Sequence, residues 1–518
     1  MNAAIHVIGV DIGTQSTKAV LVRADGHIVA QASRAHQVET PKPLWAQQWP
    51  GVWLDAVAAS ICGVLAEAGV DAASVKSLCV SSLYGGSGIP VDAEGTALHP
   101  CLIWMDRRAQ DEVAWVRAQV DVERLMAITG NGVDSYYGYT KMLWLREKMP
   151  AVWQRTAHFL PPNSFVIAKL TGEVAVDHSS AGNIGGVYDL AKRDWSDEAL
   201  KMLGIPRRMM PARLVDSSAV AGLLRADWAA KLGLVAGTLV VAGGVDAAVA
   251  TLAAGAARPG NHVATIGTSM CWGTIRQDVD ARQGLISMPH VFRGAHDLYV
   301  FGGASAAGAS VTWFRDNFCQ AEIAAGLAQN IDPHALLERD AAPLPPGADG
   351  LLFLPYLMGE RSPVWDSQAS GCFIGLGLHH GRAHLYRAVL EGVSMALRHN
   401  IEAGVRGVAK LDDHLVVVGG ASHSDLWMQI IADVTGRPVH TITEDVEASL
   451  GAAMLAALGV GLIDDDAVRR GWVQPVRRAL PNAAARPAYD ALFDHYQAAY
   501  PALKPLMHGL RRLPLAAP

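Results

Sequence analysis

Asp11 is one of two aspartates whose positions in this sequence allow chemistry. It follows an apolar run at residues 5–10 and precedes a polar turn that begins with Gly13-Thr14. A carboxylate at this point can hold Mg²⁺, directly or through water, while the N–H and hydroxyl groups of the turn meet phosphate oxygens. The simpler interpretation is an aspartate that only caps its own turn, and this segment by itself favours that role.

Asp246 is the second such aspartate. It follows Gly243-Gly244-Val245 and is the only charged residue between Leu232 and Ala257. The pattern predicts a buried strand over residues 238–242, a glycine turn, and a helix that starts near Asp246. The carboxylate would be either a helix N-cap or a general base, and the segment alone slightly favours the cap.

The same stretch, residues 232–257, is long enough to span a membrane. The glycine pair at its centre and the nearby carboxylate argue against a span, because ionisable residues are rare in membrane helices. We therefore expect no membrane partner.

Aromatic and charged residues that could hold a polyhydroxylated ligand occur in the first 140 residues. They are Trp45, Trp104, Asp106 and the pair Tyr136-Tyr137. An indole face can cover the C–H surface of a sugar, while carboxylate and guanidinium edges meet its hydroxyl groups. Each of these residues is more often structural when it is considered alone.

The composition of the 518 residues excludes several classes of protein. Hydrophobic residues make up 51% and charged residues 18%, which is the reverse of a disordered chain. A net charge of −6 argues against nucleic acid as a partner, because a phosphate-binding surface needs a basic balance. The six cysteines form no C-x-x-C pair, and the first residues lack the regions of a signal peptide, so we expect a cytoplasmic protein.

Two stretches share a strand–turn–strand pattern that would position the candidate residues. The first covers residues 5–22, and the second runs from His262 through Gly267-Thr268-Ser269 to Ile275. Alternating strands and helices predict an α/β protein, divided into residues 1–250 and 251–518. The repeated pattern is compatible with two related domains, but Gly-Thr turns are common, so unrelated halves are an equal alternative at this point. Near the C-terminus, a helical face is predicted to pack into the core through Tyr489, Phe493, Tyr496 and Tyr500.

Several common catalytic motifs are absent from the sequence. It contains no G-x-x-x-x-G-K-[ST] loop, no G-x-S-x-G elbow, no H-E-x-x-H, no Cys/His zinc spacing and no complete G-x-G-x-x-G. The glycine-containing turns and the two aspartates therefore remain the main candidates for function.

Over nearly its whole length the sequence resembles the FGGY family of carbohydrate kinases. The most specific match is Leu-Pro-Tyr-Leu-Met-Gly-Glu-Arg-Ser-Pro at residues 354–363, continued at residues 371–376 and 387–392. Other segments resemble the family's two phosphate loops, its catalytic segment and its adenosine-binding turn, at residues 11–14, 267–269, 243–246 and 418–421. Residues 191–196 are most similar to members that phosphorylate xylulose.

The resemblance implies two actin-like (ribonuclease-H-like) domains with a cleft between them, with the acceptor sugar on the first domain and ATP mostly on the second. It implies that Asp246 is the general base and that Asp11 and Asp246 lie near Mg²⁺. The residues implied for ATP are Gly13, Thr14, Gln15, Gly267, Thr268, Gly308, Gly420, Ala421 and Ser424. Those implied for the acceptor are Tyr84, Trp104, Asp106, Tyr136 and Asp246.

Departures from the family pattern fall on the acceptor side. Xylulose-phosphorylating members carry Met-His-Gly where residues 82–88 of this chain contain no histidine. The family's Trp-x-Glu is Trp45-Ala46-Gln47 here, and Ala247 follows the catalytic aspartate in place of Asn or Gln. The expected acceptor is a ketopentose such as xylulose, and the alternative is another pentulose or a polyol such as erythritol, glycerol or a pentitol.

Two other functions are compatible with such a fold. An actin- or Hsp70-like ATPase is disfavoured by the full kinase signature and by the short chain after residue 460, which leaves no room for a peptide-binding domain. A sugar sensor without catalysis is disfavoured because Asp11 and Asp246 are intact. Many relatives are dimers, so a homodimer is one option, although the sequence shows no interface.

Overall fold

The computed structural model describes residues 5–278, 281–405, 410–442 and 448–513. The helices before residue 260, α1 to α10, are Pro50–Ala68, Gln110–Gln119, Val122–Thr129, Gly138–Lys148, Pro150–Arg155, Pro162–Thr171, His178–Asn183, Asp197–Leu203, Ala226–Leu232 and Asp246–Ala253. The later helices, α11 to α18, are Gly308–Phe318, Gln320–Gln329, Pro333–Ala341, Arg382–Val405, Asp425–Thr435, Ala448–Gly459, Asp465–Arg470 and Arg486–Arg511.

Strands alternate with these helices. The first group, β1 to β14, is His6–Ile12, Ser16–Arg23, Ile28–Ala35, Gln47–Gln48, Val75–Ser82, Ile89–Val91, Cys101–Leu102, His158–Leu160, Val176–Asp177, Tyr188–Asp189, Asp194–Trp195, Leu214–Val215, Val220–Leu223 and Leu239–Val241. The second group, β15 to β23, is His262–Ile266, Met270–Arg276, Ile286–Pro289, Leu298–Ala304, Leu352–Leu354, Cys372–Ile374, Leu415–Val418, Val439–Thr441 and Val476–Ala479.

A six-stranded sheet, here the N-terminal sheet, has the strand order β13-β14-β5-β1-β2-β3. β1 pairs antiparallel with β2, and β2 pairs antiparallel with β3. β1 and β5 are parallel, as are β5 and β14. β1 is almost entirely buried, as its continuous apolar sequence requires, because helices cover both faces of a sheet with parallel strands.

A seven-stranded sheet, here the C-terminal sheet, repeats this arrangement. Its order is β17-β18-β16-β15-β21-β22-β23. β15 pairs antiparallel with β16 and parallel with β21, while β16–β18 is antiparallel and β21–β22 is parallel. The corresponding N-terminal pairs have the same directions, because β1–β2 and β2–β3 are antiparallel and β1–β5 and β5–β14 are parallel. The predicted α/β fold with two similar halves is therefore confirmed.

Helix α16 follows the C-terminal sheet in sequence order but packs on the N-terminal sheet. It lies against β1 and β5, and against α10, the helix that begins with Asp246. A Cβ on Gly9 of β1 would lie 2.0 Å from the carbonyl oxygen of Ser449 and 2.3 Å from the backbone nitrogen of Ala453. The two halves are thus joined by a contact between backbones that only glycine permits.

The stretch 232–257 folds as its sequence pattern predicts. β14 is followed by a glycine turn and then by α10. Within the described residues, α1 is long and apolar enough to cross a membrane by length and composition alone. It packs on β2 and β3, and its residues Trp53, Val57 and Ile61 are buried in the core. This packing is that of a core helix.

The aromatic face near the C-terminus also forms as predicted, on helix α18. Tyr489, Phe493 and Tyr496 are buried in the core. Tyr500 is partly buried, and its hydroxyl donates to Oδ2 of Asp366 at 2.6 Å. The closing helix is therefore tied to the segment that follows the signature sequence.

Gly9→Ala tests the contact between β1 and α16. The added methyl group would overlap the backbone of α16, so we expect the free energy of unfolding to fall by about 1–3 kcal/mol. Gly51→Ala in α1 is the control, because no atom lies within 4 Å of its Cβ position and alanine favours a helix by up to about 1 kcal/mol. Urea unfolding measures both variants, and equal stabilities would contradict the close approach.

Candidate active site

A large cavity of about 740 Å³ lies on the C-terminal half, where three glycine-containing segments meet. These segments are the turn between β15 and β16, the start of α11, and the segment that follows β21. All six residues of this half that were predicted to bind the nucleotide line the cavity: Gly267, Thr268, Gly308, Gly420, Ala421 and Ser424.

The start of α11 packs closely on the β15–β16 turn. The N–H of Gly308 donates to the carbonyl oxygen of Gly267 at 2.9 Å, and the N–H groups of Ala307 and Ala309 donate to that of Thr268 at 3.0 Å. A Cβ on Gly308 would lie 2.5 Å from the Gly267 oxygen, so glycine is needed for this approach. The positive end of the α11 dipole beside the turn favours an anion such as a phosphate group.

The rest of the large cavity is lined by residues that sequence reasoning did not identify. Trp313, Glu338, Tyr386 and Trp427 come from α11, α13, α14 and α15, respectively. They belong to no common motif, because the fold alone brings four separate helices together. Apolar walls with a few polar groups are typical of a pocket for a small organic ligand.

The two candidate aspartates lie close enough to interact between the two sheets. Asp11 near the end of β1 accepts a hydrogen bond from Oγ of Ser81 at 2.9 Å. Burial and then the charge of Asp11 hold the pKa of Asp246 well above its usual range. Burial raises the pKa of Cys271 and Tyr299 in the C-terminal sheet, and the charge of Asp246 adds to both shifts. Helix α10, which begins with Asp246, also contacts β5 of the N-terminal sheet and β16 of the C-terminal sheet.

The structure tests one of the two interpretations of Asp246, namely that its side chain is a helix N-cap. Helix α10 begins at Asp246, its N-cap is Val245, and no side chain caps it. The Asp246 carboxylate instead accepts the N–H of Ala247 at 2.6 Å. The N-cap interpretation is therefore wrong, and the carboxylate is left for another purpose.

The first predicted phosphate turn, Gly13-Thr14-Gln15, lies between β1 and β2. The N–H of Gly13 donates to the carbonyl oxygen of Ser16 at 2.9 Å, and Gln15 is exposed. Nε1 of Trp104 donates to Oγ1 of Thr14 at 3.0 Å. Because this hydroxyl accepts from Trp104, its own proton remains available for a phosphate oxygen.

A smaller cavity of about 230 Å³ lies between the two halves. Trp104, Arg107 and Asp134 line it from the N-terminal half. The C-terminal half contributes residues that include Ser269, Glu360, Arg361 and Trp365. The resemblance marked residues 354–363 as a signature but assigned none of these side chains to the acceptor.

Tyr84 and Tyr136 are packed behind this smaller cavity. Their ring centroids are 4.9 Å apart, and burial raises the pKa of both hydroxyls. The Tyr84 hydroxyl accepts the N–H of Gly138 at 2.6 Å. The Tyr136 ring contacts Trp365 across the cleft, with centroids 5.8 Å apart. Trp104 therefore lines the smaller cavity, and Tyr136 lies next to it through its contact with Trp365.

Asp106, like Tyr84, is a predicted acceptor residue that is not among the residues lining the smaller cavity. Its side chain is fully buried, and its carboxylate accepts the N–H of Ala46 at 2.7 Å and Nε of Arg108 at 2.8 Å. The carboxylate therefore positions Arg108, whose guanidinium lies 3.7 Å from the ring centroid of Trp45. A structural role replaces the predicted sugar contact, and Arg107 is the charged residue of this segment that lines the cavity.

Comparisons with known proteins match both halves of the chain. The model of the FGGY family of carbohydrate kinases, N-terminal domain, matches residues 6–253, and the C-terminal domain model matches residues 262–460. A xylulose kinase of Lactococcus lactis is 30% identical over 509 residues, which is 98% of each chain. A gluconokinase of Bacillus licheniformis is 30% identical over 491 residues, 94% of each chain.

Solved structures give the same result. The crystal structure of xylulose kinase from Rhodospirillum rubrum is 32% identical, with a TM-score of 0.86, and the match covers 97% of this chain and 100% of that one. Ligand-bound xylulose kinase from Lactobacillus acidophilus is 25% identical, with a TM-score of 0.88 over 96% of this chain and 98% of that one. The chain is thus a carbohydrate kinase, and it belongs to the FGGY family.

Proposed function

We propose that this kinase transfers the γ-phosphoryl group of ATP to a hydroxyl of a ketopentose such as xylulose. The observation that carries the proposal is the turn between β15 and β16. Gly267 and Thr268 of this turn line the large cavity, while the next residue, Ser269, lines the smaller one. A donor in the first cavity and an acceptor in the second would therefore meet at one turn.

Asp246 is the proposed general base. Phosphoryl transfer needs a group that orients the acceptor hydroxyl and takes its proton, and a carboxylate meets this need. The position of Asp246 between the two sheets supports this role, as does its hydrogen bond from Ala247, which fixes one oxygen of the carboxylate.

Backbone and hydroxyl groups of the two turns are the proposed contacts of the phosphates. Thr268 and the start of α11 would bind them from the C-terminal half, and Thr14 and Gln15 from the N-terminal half. Ala421 and Ser424 would line the nucleotide pocket together with Gly420, at whose Cβ position no atom lies within 4 Å. Closure of the cleft would exclude water, which competes with the sugar as acceptor.

Mg²⁺ fits the pair Asp11 and Asp246. Burial and then the charge of Asp11 raise the pKa of Asp246, and a divalent cation would offset both by favouring the two charged carboxylates. Among the described residues, no group of three or more His, Cys, Asp or Glu side chains forms a metal site. This is compatible with magnesium, which commonly binds one or two carboxylates together with substrate phosphates. When bound, Mg²⁺ supplies neutralisation of phosphate charge.

The relatives named xylulose kinase support a ketopentose as the acceptor, and another pentulose or a polyol remains the alternative. An actin- or Hsp70-like ATPase has less support, because carbohydrate kinase models match both halves. A cytoplasmic location is also part of the proposal, since all six cysteines are free thiols.

Asp246→Asn tests the proposed base. We expect kcat to fall by about 10²–10⁴-fold, because the amide cannot accept the hydroxyl proton, while ATP still binds. Asp433→Asn is the control, since this carboxylate bonds Gln429 and Asn482 away from both cavities, and its kcat should stay near the wild-type value. Steady-state kinetics and nucleotide titration measure these effects, and near-normal turnover of Asp246→Asn would show the assignment to be wrong.

The acceptor is tested by ADP release over a panel of ketopentoses, pentitols, tetritols, glycerol and gluconate. We expect turnover to depend on the sugar, with the highest kcat/KM for a ketopentose. A higher kcat/KM for a polyol would leave the proposed phosphoryl transfer unchanged and identify a polyol, in place of a ketopentose, as the acceptor. An ATPase activity that no sugar stimulates and that a protein does stimulate would contradict the proposal.

Gly420→Val tests the nucleotide pocket. The added side chain would project into the large cavity, so we expect the KM for ATP to rise by about 10-fold or more while the KM for the acceptor stays unchanged. Gly509→Val is the control, because Gly509 on α18 also has no atom within 4 Å of its Cβ position but lies outside both cavities. An unchanged KM for ATP would remove Gly420 from the proposed site.

A further inference from the structure

The turn Gly85-Gly86, which adjoins Trp104, offers no side chain to an acceptor. A Cβ on Gly86 would lie 2.0 Å from the carbonyl oxygen of Leu102, and one on Gly85 would lie 2.4 Å from Cδ of Pro162. Gly86 also has a φ of +53°, which disfavours other residues. Side-chain contacts that orient an acceptor therefore have to come from another part of the cleft.

Arg361 reaches the smaller cavity from the C-terminal half. Its Nη2 donates to the carbonyl oxygens of Met270 at 3.1 Å and Ala304 at 3.3 Å, and its guanidinium carbon lies 5.5 Å from the Trp104 ring centroid. Its Nε–H is buried and has no hydrogen-bond partner among the described residues. Because an unpaired buried donor is unfavourable, this N–H is a group that a ligand would satisfy.

Glu360 offers the complementary group beside Arg361. Its Oε1 accepts the N–H of Ser305 at 2.9 Å and that of Arg361 at 2.7 Å, so the carboxyl is held in place. Its Oε2 is buried and has no partner within the described parts of the chain. Burial raises the pKa of Glu360 to about 7, as is usual for a carboxyl group removed from water.

The other charged groups on this cavity are already paired. Arg107 binds Asp134 at 2.5 Å. Asp366 accepts the Tyr500 hydroxyl and contacts Nε2 of His508, both at 2.6 Å. One donor and one acceptor of opposite sign therefore remain, and this pair suits a neutral polyhydroxylated ligand better than a sugar acid.

Trp365 covers the same cavity from the C-terminal half. Its ring centroid lies 5.8 Å from that of Tyr136 and 6.1 Å from that of Tyr137, both in the N-terminal half. Its Nε1 donates to the carbonyl oxygen of Gly284 at 2.5 Å, which fixes the ring. Together with Trp104 it gives the cavity two indole walls.

We propose that Glu360 and Arg361 determine acceptor specificity, with Nε–H of Arg361 donating to one acceptor oxygen and Oε2 of Glu360 accepting a hydroxyl of the same neutral sugar. Trp365 would cover the carbon chain. The C-terminal half would then bind the acceptor as well as the nucleotide, in contrast to the division between domains that the resemblance implies. This inference rests on the proposed function, because it concerns the acceptor of that reaction.

The test uses the full-length chain with Glu360→Gln and Arg361→Lys. Kinetics are measured with the best acceptor of the panel and with its deoxy analogues, each lacking one hydroxyl. Glu360→Gln keeps an oxygen for Ser305 and Arg361, so the segment should fold. Glu112→Gln is the matched control, because Glu112 is also buried, its Oε2 has no partner among the residues that the structure describes, and it lies on α2, outside both cavities.

We expect both cavity variants to raise the KM for the acceptor by about 10-fold or more, with the KM for ATP within about 2-fold of wild type. The wild type should discriminate against one deoxy analogue by about 10-fold or more. This discrimination should become clearly smaller in Glu360→Gln, because the amide nitrogen that replaces Oε2 cannot accept the hydroxyl proton. Glu112→Gln should behave as wild type.

Two outcomes would overturn the inference in different ways. If the wild type phosphorylates a sugar but both variants keep the acceptor KM and the deoxy discrimination, the specificity assignment is wrong and the proposed function stands. If the wild type phosphorylates no member of the panel, the proposed function fails and the inference fails with it.

Discussion

The placement of two carboxylates, Asp11 and Asp246, where each is partly removed from water and the charge of one acts on the other is the constraint that the candidate site has to meet. Two carboxylates in a partly dehydrated position destabilise each other, and they stay together only where the backbone fixes both. β1 and Ser81 fix the first, and the glycine turn before α10 fixes the second. The α11 N-terminus and two turns rich in N–H and hydroxyl groups lie in the same region. The fold thus concentrates negative charge and anion-binding groups at one place, as phosphoryl transfer to a hydroxyl requires.

The duplicated sheet explains how such a place arises. Each half presents a hairpin turn between its first two strands, and these turns are Gly13-Thr14-Gln15 in one half and Gly267-Thr268-Ser269 in the other. Their polar groups can approach one ligand from both sides. What differs between the halves is what adjoins each turn: Trp104 binds Thr14 of the first, and the start of α11 binds the second. The same topology therefore gives two turns with different surroundings, which the proposed function assigns to the acceptor and to the nucleotide.

Local features of the sequence predicted the parts of the site that depend on local structure. Asp246 and the second turn could be located because a strand, a glycine turn and a helix leave a pattern in consecutive residues. The two sheets followed from the repeated pattern. Asp106 was predicted to contact the sugar, but three consecutive charged residues at 106–108 do not show which one faces a cavity, and Arg107 is the one that lines it. Arg361 and Trp365 were not assigned because they lie over 220 residues from Trp104 and Tyr136 in sequence, and only the folded chain places them together.

The contact between α16 and β1 has a consequence for how the cleft can open. At Gly9 the two backbones touch without an intervening side chain, so α16 cannot slide along β1 without a clash. A rotation of the two sheets that kept this contact intact would turn around residues from both halves. The N-terminal half is not a complete folding unit by itself, because β1 without α16 would expose a buried apolar strand to water.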